Sequence, residues 1–124
     1  MRLTLEQFSS LVDQAIRAIP DEFQPYLADV VIDIEPMPDR RTCEGLGLRD
    51  PRTLMGLYHG TPLTERSIEQ SGSLPDRVVL YQRNIERSGR TRREIVEEIR
   101  KTVLHEVGHH FGLEENDLDG LGYG

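Results

Sequence analysis

Cysteine is nearly missing: Cys43 is the single one in 124 residues. No intramolecular disulfide can form, which argues against a small secreted, disulfide-stapled scaffold. A catalytic thiolate needs an oriented histidine partner, so Cys43 is read as a lone surface-loop cysteine. Tryptophan is absent and aromatics make up 6%, too few for a platform on which single-stranded nucleic acid stacks. Positive charge is short as well. Fifteen Lys and Arg against 22 Asp and Glu leave a net charge of -7, which phosphates would repel, so no nucleic-acid partner is expected. Residues 1–20 are broken by Arg2, Glu6, Asp13 and Arg17, so no apolar leader segment is expected there. No run reaches membrane-spanning length. The expectation is a protein of the cytoplasm that makes no membrane contact.

What is present suffices for one domain over residues 1–124, of 14.2 kDa and with a lean core (hydrophobic fraction 36%, mean hydropathy -0.51). Leu5, Phe8, Leu11, Val12, Ala15, Ile16 and Ile19 recur at helical spacing, predicting an amphipathic helix over 4–19, with Thr4 as cap and Pro20 beyond its end. The β-branched run at 29–35 reads as a strand, as do 54–59 and 76–83. Gly56 suggests a bulge or an edge position in the middle one. Residues 36–51 and 61–75, rich in Pro and Gly, read as long loops. Gly89 centres a turn at 88–90. Thr91 with Glu94 then predicts a capping box opening a helix over about 91–111, and Gly112 ends it as a C′ residue. The tail, 113–124, is acidic and then Gly-rich, with room for one helical turn at 114–118.

That last helix carries His105-Glu106-Val107-Gly108-His109. Histidines at i and i+4 lie on one face, one turn apart, where both imidazoles can reach one cation. Ile95, Val96, Ile99, Val103, Leu104, Val107 and Phe111 gather on one broad side at roughly 100° per residue. His105 and His109 fall on the other side with Gly108 and Gly112. The ligands therefore do not interrupt the core stripe, as a core histidine would. Three fixed residues in five arise by chance in roughly a few sequences per thousand of this length; the correct facing on a helix is rarer. Zinc suits such a pair, and Glu106 is placed to act as general base toward a zinc-activated water. Catalytic zinc usually takes a third protein ligand. Glu114, Glu115, Asp117 and Asp119 follow Gly112, which lets the chain turn back; Glu115 is preferred and Asp117 second. His110 and His59 are read as surface or supporting residues rather than ligands.

His105-Glu106-Val107-Gly108-His109-His110-Phe111-Gly112-Leu113-Glu114-Glu115 resembles the extended H-E-x-x-H-x-x-G-x-x-[H/D] motif of metzincin-like peptidases. Together with residues 56–66 and 74–81, it makes the chain similar to the bacterial minimal zincin family. The resemblance implies an α+β fold, with a small mixed sheet packed against an N-terminal helix and a C-terminal active-site helix. It implies zinc held by His105, His109 and Glu115, catalysis by Glu106, and a peptide or protein substrate lying along an edge strand, for which 54–59 is the candidate. Glu115 departs from the His or Asp of metzincins, and no methionine follows the motif, so their Met-turn is absent. Tyr58, Tyr81 and Tyr123 are candidate oxyanion donors. The expected activity is peptide-bond hydrolysis. The alternative is a non-catalytic domain in which zinc stabilises the fold or a partner contact.

Overall fold

Thr4 begins the first helix, α1 (Leu5–Arg17), by accepting the Gln7 N–H at 3.1 Å, while the Gln7 side chain accepts the Thr4 N–H at 2.9 Å. The reciprocal pair satisfies two amides that a helix start leaves orphaned. Phe8, Leu11, Val12 and Ala15 form its buried stripe, as their spacing predicts. The computed structural model describes residues 1–60 and 75–112. A single-turn helix, α2 (Gln24–Leu27), leads into the first strand, β1 (Val30–Glu35).

The loop expected at 36–51 contains a helix, α3 (Arg40–Leu46). Asp39 caps it by accepting the Thr42 N–H at 2.7 Å, and Gly47 closes it at φ 69°, the left-handed region that favours glycine. Cys43 therefore lies on a helix rather than in a loop. The strand expected at 54–59 is β2 (Gly56–His59), and that at 76–83 is β3 (Asp76–Tyr81). β3 ends early because Gln82 opens another helix, α4 (Gln82–Ser88), where the sequence reading extends the strand to 83, leaves 84–87 unassigned and begins a turn at 88. Gly89 links α4 to the long helix α5 (Arg92–His110). Thr91 caps α5 by accepting the Glu94 N–H at 3.1 Å. The capping box expected there is only half formed, because the Glu94 carboxylate accepts from the Thr91 hydroxyl at 3.3 Å. Gly112 follows the helix at φ 73°, as predicted.

Among the described residues the strands form one mixed sheet in the order β1-β3-β2, with β3 parallel to β1 and antiparallel to β2. Val78, Val79 and Leu80 of the central strand are fully buried. Strand alternation sends Val78 and Leu80 into the main core, which holds Phe8 of α1, Ile85 of α4 and Ile99 and Val103 of α5. Val79 and Tyr81 take the other face, where Tyr81 neighbours Glu35 and Asp39. The expected α+β arrangement, a small mixed sheet against an N-terminal and a C-terminal helix, is what forms. Of the stripe predicted for α5, Ile95 to Val107 are buried, but Phe111 is 36% exposed. It lies just past the helix, its ring 5.1 Å from that of Tyr26, where the turn toward Gly112 carries it off the core face. No described helix is long and apolar enough to cross a membrane.

Candidate metal and catalytic site

α5 lies against β2 along one row of its surface. Thr102, Glu106 and His110, spaced four apart, form that row. At one end a β-carbon on Gly56 would stand 2.7 Å from Thr102 Cγ2, so the strand and helix meet this closely because position 56 has no side chain. In the middle the Tyr58 N–H donates to Glu106 Oε1 at 3.1 Å. At the other end the His110 ring stacks on the Tyr58 ring, centroids 4.0 Å apart and planes 12° from parallel. The Tyr58 hydroxyl donates to Asp76 Oδ2 at 2.8 Å, and His110 Nε2 lies 3.5 Å from the same oxygen, without hydrogen-bond geometry.

The neighbouring row holds the histidines. His105 is half-buried and His109 exposed. Their rings stand 4.3 Å apart, centroid to centroid, at 67°. Two imidazoles this close, one helical turn apart, can turn nitrogens to one ion at the zinc–nitrogen distance of about 2.0–2.1 Å. Neutral imidazole is also a donor that zinc accepts well, so the pair fits the expected metal. Among the described residues no third His, Cys, Asp or Glu joins them. Glu115, Glu114, Asp117 and Asp119, the expected sources of a further ligand, lie outside the described residues, as does Tyr123.

Glu106 stands in the middle of the row against β2, next in sequence to His105 of the neighbouring row. Burial pushes its carboxyl above the usual range, while the Tyr58 N–H and the adjacent His109 and His105 pull it back. A raised carboxyl is the better proton acceptor near neutral pH. A cleft of about 240 Å³ opens beside it, lined in part by Met55, Gly56, Lys101, Thr102 and His105. Of the two histidines expected to face a cleft, His105 lines this one; His109 is not among its lining residues. Gly108, expected to leave space on that face, is itself buried.

The tyrosines expected as oxyanion donors resolve differently. Tyr58 touches the Glu106 carboxylate through its backbone, and its hydroxyl is engaged by Asp76. Tyr81 is buried on the sheet face away from α5, where desolvation, with Glu35 and Asp39 nearby, keeps its hydroxyl protonated. His59 follows Tyr58 and therefore points to that same far face, consistent with its reading as a non-ligand. His110 and Asp76 make the contacts that sequence reasoning underrates. The signal for His110 is its place four residues after Glu106; Asp76 has none, because its role depends on strand pairing.

The zincin-like metallopeptidase family model matches residues 27–123. Among solved structures, the fold is similar to a conserved hypothetical protein from Thermo thermophilus. That likeness has a TM-score of 0.54 and 25% identity, and covers 94% of this chain and 98% of the other. No curated protein matches the chain. A family match over most of the length, on a fold that sets an H-E-x-x-H helix beside a small mixed sheet, makes this chain a member of the zincin-like metallopeptidases.

Proposed function

We propose that the chain is a zinc-dependent peptidase acting on an extended peptide or protein segment. The observation that carries the reading is the place of Glu106: its carboxylate accepts from the Tyr58 N–H of β2 and is close enough to His109 and His105 to feel their charge. His105 and His109 would hold the ion, with Glu115 the first candidate for a third ligand. When bound, zinc supplies Lewis acidity to the reacting carbonyl and to the attacking water. Glu106 takes the proton of that water and returns it to the leaving amine. The cleft beside His105 and Lys101 receives a substrate side chain, and β2 offers backbone pairing with little sequence preference.

Glu106→Gln keeps the shape of the side chain and removes the base. Zinc-loaded wild type should cleave members of a broad peptide library, and the variant should bind the same zinc with hydrolysis lowered by about 10²–10⁴-fold. A variant as active as wild type would contradict the role of Glu106. Zinc-dependent melting with no cleavage in either protein would point instead to a metal that only stabilises the fold.

A further inference from the structure

The strand register shows which backbone groups of β2 face outward. Leu57 pairs with Val79 and His59 with Arg77, while Gly56 stands opposite Leu80 and Tyr58 opposite Val78. In an antiparallel ladder, alternate residues turn both backbone groups toward the partner and the intervening ones turn both away. The Tyr81 N–H donates to Met55 O at 2.9 Å, which assigns Met55, Leu57 and His59 to the inward set. Gly56 and Tyr58 are therefore the outward set, the residues that an added strand would pair with. One of those outward groups, the Tyr58 N–H, is already bonded to Glu106 Oε1. The group that would take a substrate carbonyl is thus held by the carboxylate expected to do the chemistry.

We propose that Glu106 and the substrate backbone compete for the Tyr58 N–H: an extended peptide joining β2 places a carbonyl there and releases Glu106 toward the reacting water. This inference rests on the peptidase reading. It makes Tyr58 a positioning residue, acting through its amide while its ring is fixed by the His110 stack and its hydroxyl by Asp76. The general base is parked on the strand until the substrate arrives, so occupancy of the edge and liberation of the base become one event. The exchange replaces one hydrogen bond by another, so no bond between heavy atoms is made or broken in it.

The test needs no turnover. The probe is an end-capped hexapeptide of alternating valine and lysine, titrated into metal-free protein, with amide hydrogen exchange read at Tyr58. In wild type the Tyr58 amide should be protected without peptide. In Glu106→Ala it should exchange at least about tenfold faster, and the hexapeptide should restore protection. The peptide should bind Glu106→Ala about fivefold more tightly than wild type, equivalent to the net worth of one hydrogen bond, about 1 kcal/mol. Glu106→Gln, which keeps an acceptor oxygen and the side-chain volume, should fall between the two and serves if the alanine variant does not fold. Binding indifferent to these substitutions, with Tyr58 deprotected, would overturn the competition and leave the peptidase reading standing. No binding to any form, with Tyr58 again deprotected, would overturn the substrate reading and the competition with it.

Discussion

A methyl group on Gly56 would meet Thr102 Cγ2 at 2.7 Å and the carbonyl oxygen of Val79 at 3.0 Å. The second neighbour is backbone of the central strand and cannot swing aside. Gly56→Ala should therefore push β2 away from α5 and cost about 1–3 kcal/mol, the usual range for overpacking. Urea unfolding would measure it, and adding Thr102→Ser, which removes the clashing methyl, should recover part of the loss. An unchanged midpoint for Gly56→Ala would mean that β2 has slack at this point, and the close approach would lose its importance. The sequence suggests an edge position for Gly56, and β2 is an edge strand among the described residues. It does not disclose the helix above it. His105, Glu106 and His109 are legible because helical spacing alone decides which of them share a face. Tyr58 and Asp76 are not, because their contacts to Glu106 and His110 join segments far apart in the chain, 48 positions in the case of Tyr58 and Glu106.

At the scale of elements, the two long helices are readable and the short ones are not. α1 and α5 repeat apolar residues over several turns, and Thr4, Thr91 and Gly112 mark their ends. α3 has few apolar residues, and its signs, Asp39 at the start and Gly47 in the left-handed conformation at the end, are local and weak. α4 is obscured for a different reason: its buried residues include Gln82, Asn84 and Glu86. These polar groups hold other segments in place. Asn84 donates to the carbonyls of Pro51 and Leu54, which fixes the approach to β2. Glu86 accepts from the Leu3 N–H at 2.8 Å, Gln82 at 3.0 Å and Arg83 at 2.7 Å, tying the N-terminus to α4. Burial opposes the charge on Glu86, but these bonds outweigh it and hold the carboxyl below its ordinary value of 4.5. A lowered value in the folded state means stability that is present above the unfolded value and lost as pH falls through the folded one. Glu86→Gln should then cost about 2 kcal/mol at pH 7, where hydrogen bonds to a charged group are replaced by neutral ones. The gap between variant and wild type should close as pH drops below 4.5. Melting curves across pH would show it; a gap that stays constant into acid would mean that the Glu86 charge contributes nothing.

Over the whole molecule, the net charge of -7 favours cations near the surface. Family membership and the sheet-and-helix architecture agree with the expectations drawn from residues alone, since the H-E-x-x-H helix and the apolar periodicity are both sequence-local signals. Everything proposed for the site depends on His105 and His109 holding one zinc ion. The measurement that tests this most directly is the metal content of protein purified without added metal or a histidine tag, beside His109→Ala. About one zinc per chain is expected in wild type, and none should be retained by the variant. Protein that carries no zinc and takes none up when it is supplied would contradict the claim and remove the basis for hydrolysis at this site.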